Sequence, residues 1–130
     1  MLSTFLRTVL KLDAASCLGL AAIVLPGAAI LSAPLGIETT MLQGAALSLI
    51  PIGLFILWLG TRTQAPAAAV YLVIIGNIGW AGASLLTAFE LPGITPLGTL
   101  AVASQGLAVL ALAILEWRGV RQSNLSAASA

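Results

Sequence analysis

Four long stretches without a charged side chain dominate this sequence and constrain its fold more than any other feature. They cover approximately residues 14–33, 41–59, 67–89 and 97–115. A helix of about 20 apolar residues crosses a hydrocarbon core about 30 Å thick. The chain is 60% hydrophobic and only 7% charged, whereas a soluble domain carries about 25% charged residues. We therefore expect an all-α membrane protein whose four helices cross the lipid bilayer.

The segments between the apolar stretches are short, and they contain residues typical of turns. Pro34 and Gly36 lie in the first, and the pair Pro92-Gly93 lies in the third. Short links favour antiparallel neighbours, so the sequence predicts an antiparallel four-transmembrane-helix bundle over residues 14–117. Thr95 before Pro96 predicts the N-cap and first position of the fourth helix. Asp13 is expected to cap the first helix in the same way.

The basic residues predict how the bundle is oriented. Arg7 and Lys11 precede the first span, Arg62 lies between the second and third, and Arg118 and Arg121 follow the fourth. All five therefore fall on one side of a four-span topology. The positive-inside rule assigns that side, and both termini, to the cytoplasm. We expect a multi-pass protein of the bacterial inner (plasma) membrane.

The two ends of the chain are expected to lie outside the bundle. In residues 1–13, Leu2, Phe5, Leu6, Val9 and Leu12 share one helical face, and Arg7 and Lys11 are on the other. This pattern predicts a short amphipathic interfacial helix. A secretory signal peptide is the alternative, but the first span is longer than the usual apolar core of about 7–15 residues. Residues 118–130 are expected to form a disordered cytoplasmic tail.

Two amides inside the apolar stretches are the first candidates for a functional site. Asn77 lies halfway along the third span and Gln105 halfway along the fourth, so they are expected at the same depth and hydrogen-bonded. Trp80 and Ser84 share the helical face of Asn77. Trp80 needs an acceptor, either Gln105 or a carbonyl released by Pro51. These five residues form a candidate small-molecule site; the alternative is a packed core in which the amides set the helix register.

A second candidate cluster lies at the cytoplasmic end of the spans. Asp13, Arg62 and Glu116 are expected there, in a group that closes the bundle or binds a partner. The simpler alternative makes Asp13 only a helix cap and Glu116 a solvated carboxylate at the interface.

Missing residue types exclude several kinds of chemistry. The chain has no histidine and a single cysteine, Cys17, so it lacks a paired-cysteine redox site and the commonest ligand for metals and haem. No serine has a histidine to activate it as a nucleophile. Every carboxylate is expected at a span end, where ion-coupled transport does not use it. We therefore expect no enzyme, no metal and no cofactor, and a net charge of +1 argues against nucleic acid as a partner.

In overall plan the chain resembles the small four-helix bacterial integral membrane proteins grouped as DoxX-like, most of which are uncharacterised. The resemblance rests on the length, the four spans, an Asp at the start of the first span, the N-x-x-W of Asn77 and Trp80, and the pair Gln105 and Glu116. It implies a four-helix fold, and it assigns no catalytic residue.

Small residues recur along all four spans and favour close helix packing. They include Gly19, Gly44, Ser48, Gly76, Gly79, Gly82 and Gly106. The resulting prediction is a non-catalytic accessory or scaffold subunit that packs against other membrane proteins or against itself. The alternative is a carrier or binding protein for a small apolar or lipid-like ligand in a mid-membrane pocket.

Overall fold

The computed structural model describes residues 1–123, and this part of the chain folds into four long helices. They are α1 (Thr4–Leu35), α2 (Thr39–Gly60), α3 (Ala67–Glu90) and α4 (Pro96–Gln122). Each is long and apolar enough to cross a membrane. Large apolar side chains are exposed on every helix, among them Ile30, Phe55, Phe89 and Leu100. Exposed apolar surface of this extent marks a contact with a membrane or with another protein. The prediction of four helices able to span a membrane is confirmed by their length and composition.

The N-terminal segment differs from the interfacial helix expected for residues 1–13. Ser3 caps α1, because its hydroxyl accepts a hydrogen bond from the Leu6 amide at 3.1 Å, and the helix then continues without a break through Asp13. Leu6 is fully buried, whereas Phe5 and Leu12 are exposed. The apolar face that we assigned to lipid is thus divided, and part of it packs inside the protein.

The start of α4 agrees with its sequence signals. The Thr95 hydroxyl accepts a hydrogen bond from the Gly98 amide at 3.0 Å, and Pro96 opens the helix. Thr95 also ties α4 to the end of α1, since its hydroxyl donates to the Pro34 carbonyl at 2.6 Å. Gly36 ends α1 with a φ of 68°, a left-handed conformation that glycine adopts without strain. At the other end α4 extends to Gln122, so residues 118–122 are helical; the rest of the predicted tail, 124–130, lies outside the described residues.

The helices contact one another unequally. α1 packs closely along α2 and also along α4, and α3 packs along α4, but α2 and α3 make very few contacts. Leu18 and Cys17 of α1 lie against Gly53 of α2, and Leu6 lies against Gly119 of α4. The bundle is therefore tight along three of its sides and loose between α2 and α3.

Only some of the small residues predicted at helix contacts are found there. Gly106 faces Ser84, and a Cβ added at Gly106 would lie 3.0 Å from the Ser84 Cβ. A Cβ added at five other glycines would meet nothing within 4 Å: Gly19, Gly44, Gly76, Gly79 and Gly82. The closest helix approaches use Gly53, Gly60, Gly98 and Gly119 instead, because these positions lie on the buried faces.

The Leu6–Gly119 contact gives a test of whether the N-terminal segment packs within the bundle. A Cβ at Gly119 would lie 2.9 Å from the Leu6 Cβ and 3.1 Å from its Cα, so Gly119→Ala should lower the free energy of unfolding by about 1–3 kcal/mol. The measurement is denaturation in mixed micelles followed by circular dichroism.

Gly82→Ala is the matched control, because its added Cβ meets nothing within 4 Å. Alanine is favoured over glycine in a helix by up to about 1 kcal/mol, so this variant should be as stable as the wild type or more stable. Equal stability of both variants would contradict the packing of α1 on α4.

Candidate functional site

One buried amide joins three helices inside the bundle. The Nδ2 atom of Asn77 on α3 donates one hydrogen bond to Oδ2 of Asp13 on α1 and another to Oε1 of Glu116 on α4, each at 2.7 Å. Both carboxylic residues are fully buried, and Asn77 is only 6% exposed. We call Asp13, Asn77 and Glu116 the carboxyl–amide cluster.

The positions of Asp13 and Glu116 in the repeat of buried residues along their helices explain why these polar side chains point inward. On α1, Leu6, Leu10, Asp13 and Cys17 recur every three or four residues and are all buried. On α4, Glu116 follows Ala113 and precedes Gly119 and Val120 in the same pattern. The two carboxyls therefore occupy core positions of their helices, where an apolar residue would be expected.

The cluster holds two acidic groups without a cation. The groups that contact the carboxyls are the Asn77 amide, the Cys17 thiol, which donates to Asp13 Oδ1 at 3.7 Å, and each other. Both oxygens lie 2.7 Å from the same nitrogen, so they are at most about 5.4 Å apart. Two unit charges at that separation repel by about 3 kcal/mol at an effective dielectric constant of about 20. Removing each carboxylate from water adds a further cost. We infer that at least one of the two carboxyls keeps its proton in the folded protein.

One carboxyl oxygen of the cluster is not used in a hydrogen bond to the Asn77 amide or to the Cys17 thiol. Oε2 of Glu116 is buried, and it has no hydrogen-bond partner among the described residues. A buried acceptor without a partner costs free energy unless a proton, water or ligand satisfies it. The proton that we infer on one of the two carboxyls can satisfy this oxygen, because Glu116 and Asp13 are in hydrogen-bond contact.

The second predicted cluster forms only in part, and not at a solvated surface. Asp13 and Glu116 do come together, but through Asn77, and Asp13 is not a cap because α1 passes through it. Glu116 is buried rather than solvated. Arg62 is exposed, and its guanidinium carbon lies 5.3 Å from the centre of the Trp58 ring. The sequence signal for Asp13 and Glu116 is the repeat of buried positions every three or four residues along α1 and α4. This repeat continues past the ends predicted for the apolar spans.

The two amides do not form the bond that we predicted between them. Asn77 uses both amide hydrogens on carboxyl oxygens, which are stronger acceptors than a neutral amide. Gln105 instead donates to the Ser84 hydroxyl at 2.6 Å, and its Oε1 accepts from the Trp80 indole at 3.2 Å. Of the two acceptors considered for Trp80, Gln105 is the one that the structure provides.

A cavity of about 560 Å³ lies where α2 and α3 fail to pack. All four helices contribute to its wall, which is almost entirely apolar. Four of the five residues predicted for the ligand site line it: Pro51, Asn77, Trp80 and Gln105. Cys17 also lines it, so the carboxyl–amide cluster lies directly behind one part of the wall.

The fifth predicted residue, Ser84, lines a second cavity of about 320 Å³. Trp80 and Gln105 belong to the walls of both cavities. Their hydrogen bond therefore lies at the boundary between the two spaces. Within residues 1–123, no group of three His, Cys, Asp or Glu side chains is arranged to hold a metal ion.

Comparison with known proteins gives no relative: no family model, no curated protein and no solved structure matches this chain. The resemblance to DoxX-like proteins stays a prediction.

The role of the Asn77 amide can be tested by removing it at nearly constant volume. Asn77→Leu leaves two buried carboxyls without their shared donor, and we expect it to lower the free energy of unfolding by about 2–5 kcal/mol. Glu116→Gln keeps an acceptor for Asn77 and removes one potential charge, so its stability should equal or exceed that of the wild type. Unfolding in mixed micelles at neutral pH measures both, and a neutral Asn77→Leu substitution would rule out the bridging role.

Proposed function

We propose that this chain is a multi-pass protein of the bacterial inner membrane that binds or carries a small apolar or lipid-like molecule within an antiparallel four-helix bundle. The proposed orientation has both termini in the cytoplasm. It is supported by the positions of the basic residues, which lie in the first turns of α1, directly after α2 and in the last turns of α4.

The observation that carries this proposal is the gap between α2 and α3. A cavity of about 560 Å³ is in the size range of small-molecule sites, about 300–1,000 Å³. Helices that lack a close neighbour on one side leave a route along which a molecule dissolved in lipid can reach the interior. The sparse α2–α3 contacts therefore favour access from the membrane rather than from water.

The cavity wall has the composition of a binding site for an apolar molecule with one polar group. Leu49, Ile52 and Phe55 on α2 face Leu72 and Val73 on α3 across the space. Asn77, Trp80 and Gln105 add a few polar atoms to this surface. Apolar contacts of this kind supply affinity, and the few polar groups orient the ligand.

The residues that line the cavity favour binding over catalysis. The side chains around the cavity include one thiol, one hydroxyl and two amides, and the thiol and the hydroxyl both bond back to Asp13 of their own helix. The hydroxyl bonds to a backbone carbonyl and has no base to activate it as a nucleophile. The thiol donates to a buried carboxyl that the Asn77 amide also holds. We therefore propose a non-catalytic role and assign no cofactor.

Gly76 allows the cavity to be filled without disturbing the helix contacts. It lines the cavity, and a Cβ added there meets nothing within 4 Å. In a Trp58→Phe, Trp117→Phe background, Trp80 is the only tryptophan, and a neutral bromoalkane in the cavity should quench its fluorescence. Gly76→Leu should weaken this quenching by about tenfold or more, because overpacking costs about 1–3 kcal/mol.

Gly79→Leu is the matched control, since Gly79 also has open space around it but lines neither cavity. It should quench like the parent. Equal quenching of the Gly76 and Gly79 variants would mean that the bromoalkane reaches Trp80 from bulk lipid and not from the cavity, and the proposed function would fail.

An accessory or scaffold subunit is the second candidate. Its support is that Gly44, Gly79 and Gly82 present small surfaces that no helix of this chain covers, and such surfaces allow close approach by another membrane helix. Cysteines placed at Gly44 and Gly82 in a Cys17→Ala background should then crosslink in native membranes to a second copy or to a partner subunit. A monomer without crosslinks would remove this candidate.

A further inference from the structure

We propose that the ligand of the α2–α3 cavity is an amphiphile with a cationic head, and that its binding displaces a proton from the carboxyl–amide cluster. This inference rests on the proposed binding function and specifies the chemical class of the ligand. It follows from three independent features of the described residues: the uncompensated acidic pair, an unpartnered buried oxygen, and the position of the cluster against the cavity wall.

The acidic pair accepts no hydrogen bond from a cation among the described residues; the Nε atom of Arg7 on α1 is buried but has no partner. α1 contributes Asp13 and Cys17, α3 contributes the neutral Asn77 amide, and α4 contributes Glu116. The part of α2 that faces the cavity is apolar. With one proton between them, the two carboxyls carry one negative charge in a surrounding of low polarity, where a cation stabilises them more than it would in water.

Glu116 gives the cluster a specific point of attachment. Its Oε2 is buried without a partner while its Oε1 accepts from Asn77. A residue that served only to hold the helices together would be expected to use both oxygens, because a buried acceptor left unpaired is costly. The free oxygen can carry the exchangeable proton and share it with Asp13, with which Glu116 is in hydrogen-bond contact.

The cavity connects this cluster to the lipid. Asn77 and Cys17 belong both to the cavity wall and to the hydrogen bonds of the cluster, so a head group at that part of the wall is one side chain away from the carboxyls. Phe55 and Trp80 lie in the same wall. Aromatic rings attract cations through their faces, and the apolar remainder of the wall suits an alkyl chain that leaves between α2 and α3.

The exchange of a proton for a cationic head conserves the charge of the site and needs no other reactant. The empty site holds one proton on two carboxyls. When a quaternary ammonium head enters, the remaining proton leaves to water, and the site has the same net charge before and after. A quaternary ammonium carries no proton of its own, so any proton released on binding comes from the protein.

Three probes with one alkyl chain and different heads test this inference. They are ω-bromododecanol, ω-bromododecyl-trimethylammonium and ω-bromododecanoate, each added to the full chain in uncharged lipid nanodiscs. Quenching of Trp80 in the Trp58→Phe, Trp117→Phe background reports binding. We expect the ammonium probe to bind about tenfold more tightly than the alcohol, and the carboxylate to bind most weakly.

Proton release is measured on the same samples with a pH indicator in weak buffer. The ammonium probe should release about one proton for each molecule bound, and the alcohol should release none. In Asp13→Asn, Glu116→Gln the alcohol should bind as before, while the preference for the ammonium and the proton release should both be lost. If the double variant does not fold, Glu116→Gln alone should lose the proton release, because no second carboxyl remains to hold a proton, while Asp13 can keep the charge that favours the ammonium.

The outcomes separate this inference from the proposed function. If the alcohol fails to quench Trp80, or if Gly76→Leu leaves its quenching unchanged, the cavity does not bind apolar molecules and both proposals fail. If the alcohol binds in the cavity but the ammonium probe binds no more tightly and releases no proton, the binding function stands and the cationic ligand class is overturned.

Discussion

The arrangement of this protein depends on a single amide nitrogen that bonds two buried carboxyls from two other helices. Asn77 of α3 holds Asp13 of α1 and Glu116 of α4, each at 2.7 Å. Lipid does not press helices together as water does, so packing and polar contacts must supply the association. The carboxyl–amide cluster links α1, α3 and α4 in this way, whereas α2 is held chiefly by its packing along α1. The open side between α2 and α3 is the consequence.

The gap between α2 and α3 is the feature of the fold that supports the proposed function. The cluster links α1, α3 and α4. The cavity of about 560 Å³ lies between α2 and α3, where the helix contacts are few. At one part of the wall the cavity meets Asn77 and Cys17, and behind them lie the two buried acids that share the Asn77 amide. In the proposed function, a site of this kind combines an apolar compartment with buried acidic groups, and ionisable residues within membrane spans are candidates for functional sites.

Much of the fold could be predicted from the sequence, but little of the site. The lengths of the uncharged stretches and the Thr95-Pro96 cap define the helices well, because both depend on local chemistry. The sequence predicts Asp13 and Glu116 in one cluster with Arg62, but not their burial against Asn77, because residues near the ends of apolar stretches look like caps and interfacial charges. The helices in fact extend from Thr4 to Leu35 and from Pro96 to Gln122, which places both acids within them. The hydrogen-bond acceptors of Asn77 could not be predicted from the sequence, because they depend on how the three helices pack together.

The central claim is that Asp13 and Glu116 share the Asn77 amide and hold a proton between them inside the bundle. Infrared spectroscopy of the protein in nanodiscs tests this directly through the C=O stretch of a protonated carboxyl. At neutral pH the wild type should show this band, shifted on exchange into deuterated water, and Asp13→Asn, Glu116→Gln should lack it. A wild-type spectrum with no protonated-carboxyl band, identical in this region to that of the double variant, would contradict the account.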